Sequence, residues 1–147
     1  MSAVRTWMLL ADRAEAKARE ALAEVVRLQR ILDAFETPAE RLRELHADYC
    51  ERLHRISDTP RPMSEALNLR RFIEHIEGLQ ADLERKRLAA AAAVATARET
   101  HAKVEQEHTR MRGLADRANE KIRRAAQVAE TRQMDALGVA RFNLGRR

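Results

Sequence analysis

Apolar residues recur along this chain at intervals of seven, each series shadowed by a second row three or four residues further on. Leu28, Phe35, Leu42, Tyr49 and Ile56 form the first series, accompanied by Ile31, Leu32, Leu45 and Leu53. Upstream, Val4, Met8, Ala11, Ala18, Leu22 and Val25 continue the three-four spacing with smaller side chains. The second series runs Leu69, Ile76, Leu83, Ala90, Ala97, Val104, Met111, Ala118 and Ala125, with Val94, Ala115, Ile122 and Ala129 in its partner row. A 3.5-residue repeat sustained this long predicts a coiled-coil seam rather than a lone amphipathic helix. Between the two series lies Ser57-Asp58-Thr59-Pro60-Arg61-Pro62-Met63-Ser64, where two prolines one residue apart forbid a continuous helix and Ser64 can cap the second one. The pattern predicts an all-α fold of two long helices forming an antiparallel coiled-coil hairpin. The first helix is expected over about 3–57, the turn at 58–64, the second helix over about 65–138, and a basic tail at 139–147.

Two stretches interrupt that regularity. Thr37-Pro38-Ala39-Glu40 has the form of a helix start, with Thr as N-cap, Pro in the first turn and Glu closing a capping box. Yet the register passes from Phe35 to Leu42 without a slip, which favours one long helix kinked near Pro38 over two unrelated helices. The second helix is long enough to overhang the first by several turns. Its seam, rich in Leu and Ile near the bend, turns to alanine between Leu88 and Ala97, and His101 and His108 then occupy the partner row. Small and polar seam residues bury little apolar area, so bending or fraying is expected there. Protonation of the two histidines could loosen the seam, although wet positions explain them as well.

Composition agrees with long helices. Of 147 residues, 35% are charged and only 3% aromatic, too few large side chains to fill a compact core. Ala, Leu, Arg, Glu and Lys, the strong helix formers, predominate instead. The single Cys50 leaves no internal disulfide. The N-terminus lacks the apolar run of a signal peptide, and no segment approaches the roughly 18 apolar residues of a membrane span. A cytoplasmic protein is expected. Residues 1–97 carry 16 basic and 16 acidic side chains, and residues 98–147 carry 12 and 7, so the net +5 lies wholly in the second part.

Little in the sequence points to chemistry. There is no phosphate-binding glycine loop, nucleophile elbow or zinc-protease motif. The carboxylates alternate with Arg and Lys at helical spacing, which marks solvated faces carrying weak ion pairs. His46, Cys50 and His54 lie four apart, a spacing that suits a metal ligand set on one helix face. The simpler account is a solvated flank beside the Leu42–Leu45–Tyr49–Leu53 stripe, since no second Cys can complete a site. No catalytic residue, metal, cofactor or small-molecule substrate is expected. The basic C-terminal region would suit a nucleic-acid arm. However, no aromatic interleaves with the basic residues from Arg98 to Arg132 and acids are scattered among them, which speaks against nucleic acid.

The most informative surface flanks the bend. Leu42, Leu45, Tyr49 and Leu53 form one stripe, and Phe72, Ile76, Leu79 and Leu83 form another. Phe72 and Leu79 fall off the seventh-residue series and widen the apolar face beyond a two-stranded seam. The excess width marks either a docking site or internal packing permitted by the kink.

The chain at this point resembles the FliJ family, the small coiled-coil component of the bacterial flagellar type III export apparatus. The resemblance rests on Leu42 followed by Tyr49-Cys50-Glu51-Arg52-Leu53, on Phe72-Ile73-Glu74-His75-Ile76-Glu77 after a short turn, and on Arg132-Gln133-Met134-Asp135 before a basic tail. It implies a protein similar to the central stalk of rotary ATPases, which binds and stimulates the export ATPase FliI through the end bearing the termini. It also implies contact with the export-gate protein FlhA and with export chaperones, holding the chain peripherally at the inner membrane through its partners. The family's gate-contacting positions fall on Leu42, Leu45, Tyr49, Phe72, Ile76, Leu79 and Leu83. Arg5, Arg13, Arg132 and Arg141 are then expected to face an acidic lining of the ATPase. The alternatives are the corresponding stalk of an injectisome, or a nucleic-acid-associated coiled coil with a basic tail.

Overall fold

The computed structural model describes residues 2–58 and 63–146. It is all-α, with helices α1 (Ser2–Asp33), α2 (Glu36–Ser57) and α3 (Met63–Gly145), and α1 and α2 make up one bent arm. The double-proline turn lies mostly outside the described residues; Asp58 caps α2, and α3 has begun by Met63.

The bend falls just before Pro38, as expected. Proline has no N–H to donate to the carbonyl four residues back, and its ring crowds that carbonyl. For Pro38 the affected carbonyl belongs to Ala34, and the interruption sits at Ala34–Phe35. The Ala34 amide still donates to the Arg30 carbonyl at 3.0 Å, the Phe35 amide tightens to Leu32 at 3.1 Å, and the ladder resumes from Ala39 to Phe35 at 3.1 Å. Phe35, not Thr37, is the N-cap of α2, with no side-chain cap bond, and Thr37 falls within the first turn.

α3 is continuous across the alanine-rich stretch, where bending or fraying was expected. Alanine is the strongest helix former, so the backbone ladder there needs little help from packing. The helix also runs through residues 139–145, expected as tail. A lone glycine costs only about 1 kcal/mol relative to alanine, and Gly138 by itself does not stop a helix.

The described residues divide into two units, one of residues 21–101 and one of residues 2–20 with 102–146. In the 21–101 unit the arms run antiparallel: Gln29 meets Arg98, His46 meets Glu77, and Tyr49 meets Phe72, so numbers rise on one arm as they fall on the other. Its core is a narrow strip of Ile73, Ile76 and Val94. In the other unit the buried residues are Ala14, Ala18 and Ala115. Small side chains there let α1 and α3 approach closely while removing little area from water. Charged side chains outside the seams form pairs within one helix, among them Glu24–Arg27 and Glu84–Arg87, each 2.6 Å. These hydrogen bonds hold Glu24 and Glu84 below the usual carboxylate value and raise their arginines. Fully exposed pairs of this kind shape the surface far more than they hold the fold.

Candidate docking surfaces

The expected gate-contacting set is split by the seam of the 21–101 unit. Ile76 is only 2% exposed and belongs to the core, so it is unavailable to a partner while the arms are paired. Leu42, Tyr49 and Leu83 are half-buried and bridge core and surface, whereas Leu45, Phe72 and Leu79 are each over 40% exposed. Packing thus takes one side of the double stripe and leaves the other in solvent.

The exposed side has a defined shape. The Tyr49 and Phe72 rings lie 4.5 Å apart at 35°, joining α2 to α3, and His75 flanks Phe72 at 6.5 Å. The Arg52 guanidinium sits 5.0 Å from the centre of the Tyr49 ring. Nearer the bend in the first arm, Pro38, Leu42, Leu79 and Leu83 floor a groove of about 400 Å³ whose rim is Arg41, Asp82 and Lys86.

The face carrying His46, Cys50 and His54 is not assembled as a ligand set. His46 turns to α3, with Nε2 3.1 Å from a Glu77 carboxylate oxygen, and Cys50 Sγ stands 3.8 Å from both His46 nitrogens. His54 is exposed. Among the described residues no group of three or more His, Cys, Asp or Glu is placed to hold a metal.

In the other unit His108 is half-buried on the seam row, 3.4 Å from Glu105. It lines a cavity of about 220 Å³ with Asp12 and Glu15 of α1 and Arg112 and Asp116 of α3.

Beyond Glu120 every described residue of α3 is exposed. Residues 121–147 hold seven basic and two acidic side chains, a net +5 equal to that of the whole chain. Ile122, Val128, Met134, Leu137, Val139, Phe142 and Leu144 are each 47% or more exposed. At about 100° per residue, the last five spread around most of the helix circumference. A helix apolar on most sides is ordinarily an enclosed one. Arg132 and Arg141 lie on this segment, while Arg5 and Arg13 lie on α1 of the same unit. All four are exposed and form no ion pair among the described residues. Exposure after Glu120 was foreseeable from the unequal helix lengths. The spread of apolar residues was not, because a tail at 139–147 has no helical angles along which to place them.

No helix among the described residues is long and apolar enough to cross a membrane. A helical hairpin with a thin seam, an aromatic face and an exposed basic helix end defines a coiled-coil protein. Comparison with known families gives the particular one: the chain belongs to the flagellar FliJ protein family, which matches residues 6–147. It is therefore a component of the flagellar type III export system, in a family that is not catalytic. Searches of curated proteins and of solved structures found no match.

Proposed function

We propose that this chain is a stalk-like coupling subunit of the export system, working at the cytoplasmic face of the inner membrane, with two docking surfaces for two partners. The exposed end of α3 enters the export ATPase and stimulates hydrolysis, with Arg132 and Arg141, joined by Arg5 and Arg13 of α1, meeting acidic groups there. The exposed side of the double stripe, centred on Leu45, Tyr49, Phe72 and Leu79, contacts the export-gate protein. Export chaperones share these surfaces or the flanks beside them.

The observation that carries the reading is the end of α3: residues 121–145 form a helical segment with five basic and two acidic side chains, apolar on most sides and uncovered. Burial of those side chains is favourable at about 25 cal/mol per Å², and only an enclosing partner supplies it on several sides at once. A positive segment also accelerates encounter with an acidic lining.

The test is hydrolysis by the cognate export ATPase in the presence of the full chain and of a chain ending at Glu120. Stimulation by the full chain that disappears with the truncation supports the reading. Equal stimulation by both, or by neither, overturns it.

A further inference from the structure

We propose that Arg52 is the charged anchor of the aromatic face, and that the segment docking there is an acidic peptide presenting a carboxylate beside an apolar side chain. The inference rests on the reading of this face as a docking surface and adds the chemistry of what it accepts.

The arginines around the face differ in what they do. Arg43, Arg55, Arg85 and Arg87 each pair with a carboxylate three or four residues away on their own helix. Arg52 forms no ion pair among the described residues and lies over the Tyr49 ring instead, 5.0 Å from its centre. Phe72 packs on the same Tyr49 ring at 4.5 Å, so the ring beneath the cation is braced by the other helix.

A guanidinium held over a ring keeps its N–H donors for other partners, and those of Arg52 are not taken by a carboxylate among the described residues. Such donors match a carboxylate in two parallel hydrogen bonds, and the aromatic support limits the entropy lost when they form. Arg52 thus presents a preorganised carboxylate receptor beside exposed apolar surface at Phe72, itself 44% exposed.

The wider charge balance points the same way. Along the neighbouring groove the rim cations Arg41 and Lys86 are without an ion pair among the described residues, and the one rim carboxylate, Asp82, is engaged by Arg85. The groove rim thus offers two available cations and no available carboxylate, which favours an acidic partner over a basic one.

The experiment is titration calorimetry of the full chain against the purified cytoplasmic part of the cognate export-gate protein, at about 50 and 500 mM salt. Wild type is compared with Arg52→Met, Arg52→Lys and Phe72→Ala, each checked by a thermal melt. The expected result is an Arg52→Met dissociation constant about tenfold weaker at low salt, the scale of one charge-assisted contact. The wild-type salt dependence should flatten in Arg52→Met, and Arg52→Lys should recover part of the affinity. Wild-type affinity in Arg52→Met with weak binding in Phe72→Ala overturns the anchor while leaving the face as a docking surface. Wild-type affinity in both overturns the face and the anchor together. An early melt in Arg52→Met, with no recovery by lysine, makes Arg52 a structural residue and also overturns the proposal.

Discussion

Replacing Ile76 by alanine separates the side of the double stripe that closes the hairpin from the side that faces solvent. Ile76 is 2% exposed. Ile→Ala removes three carbons, at about 0.8 kcal/mol each on transfer from water, or about 2.4 kcal/mol. The space left behind adds to that, and large-to-small changes at such sites cost about 2–5 kcal/mol. A loss of about 3 kcal/mol corresponds to a melting temperature lower by roughly 6–12 °C in a chain of this size. Leu79, one turn along α3 and 42% exposed, forfeits only about half of its burial. Leu79→Ala should cost about 1 kcal/mol and move the midpoint by roughly 2–4 °C. Thermal melts followed by circular dichroism at the helix band, on the two variants side by side, give the comparison. If Leu79→Ala destabilises as strongly as Ile76→Ala, the two positions share the same packing role. The division between core and docking face is then wrong.

Ala18 is 5% exposed in a seam with Ala14 and Ala115, so Ala18→Leu should overpack it and cost about 1–3 kcal/mol, read as a lower melting temperature. Glu84 is held below the usual glutamate value of 4.5, chiefly by its hydrogen bond from Arg87. A folded value lowered in this way contributes stability above the unfolded value and loses it as pH falls through the folded one. The NMR titration midpoint of the Glu84 carboxyl should lie below 4.5 and rise in Arg87→Met; an unchanged midpoint would refute the pairing. Pro38→Ala restores a donor to the Ala34 carbonyl, and helix content should rise as α1 and α2 merge, with no rise counting against the proline as cause of the bend.

Much of the fold was legible because the repeat itself is physical: Leu28, Phe35, Leu42, Tyr49 and Ile56 are half-buried at regular intervals. The bend near Pro38 was legible, but the N-cap that follows it was not. Proline acts on the carbonyl four residues before it, so the interruption sits at Ala34–Phe35, and the capping pattern at Thr37 misled. Ile76 shows where the candidate site outran the sequence. On a face wider than one seam, Ile76 and Leu79 have the same chemistry, and only the rotation of α3 against the first arm decides which is covered. His46 was similarly ambiguous: its spacing from Cys50 suggested ligands, but Glu77, 31 residues away, is its partner across the arms. In the alanine stretch, scant burial weakens the packing between arms but not the helix itself, which alanine's own propensity sustains.

The central claim is that the two surfaces left bare by the hairpin, the end of α3 and the Tyr49–Phe72 face, are where partners bind. Amide hydrogen exchange across the full chain, alone and with each purified partner, tests it in one measurement. In the free chain, amides of residues 121–145 should exchange roughly a hundredfold faster than those of 73–94, since an unsupported helix opens readily. The export ATPase should then slow exchange in 121–145, and the gate protein should slow it around residues 45–52 and 72–79. Residues 121–145 already protected in the free chain, or unchanged by the ATPase, would contradict the account.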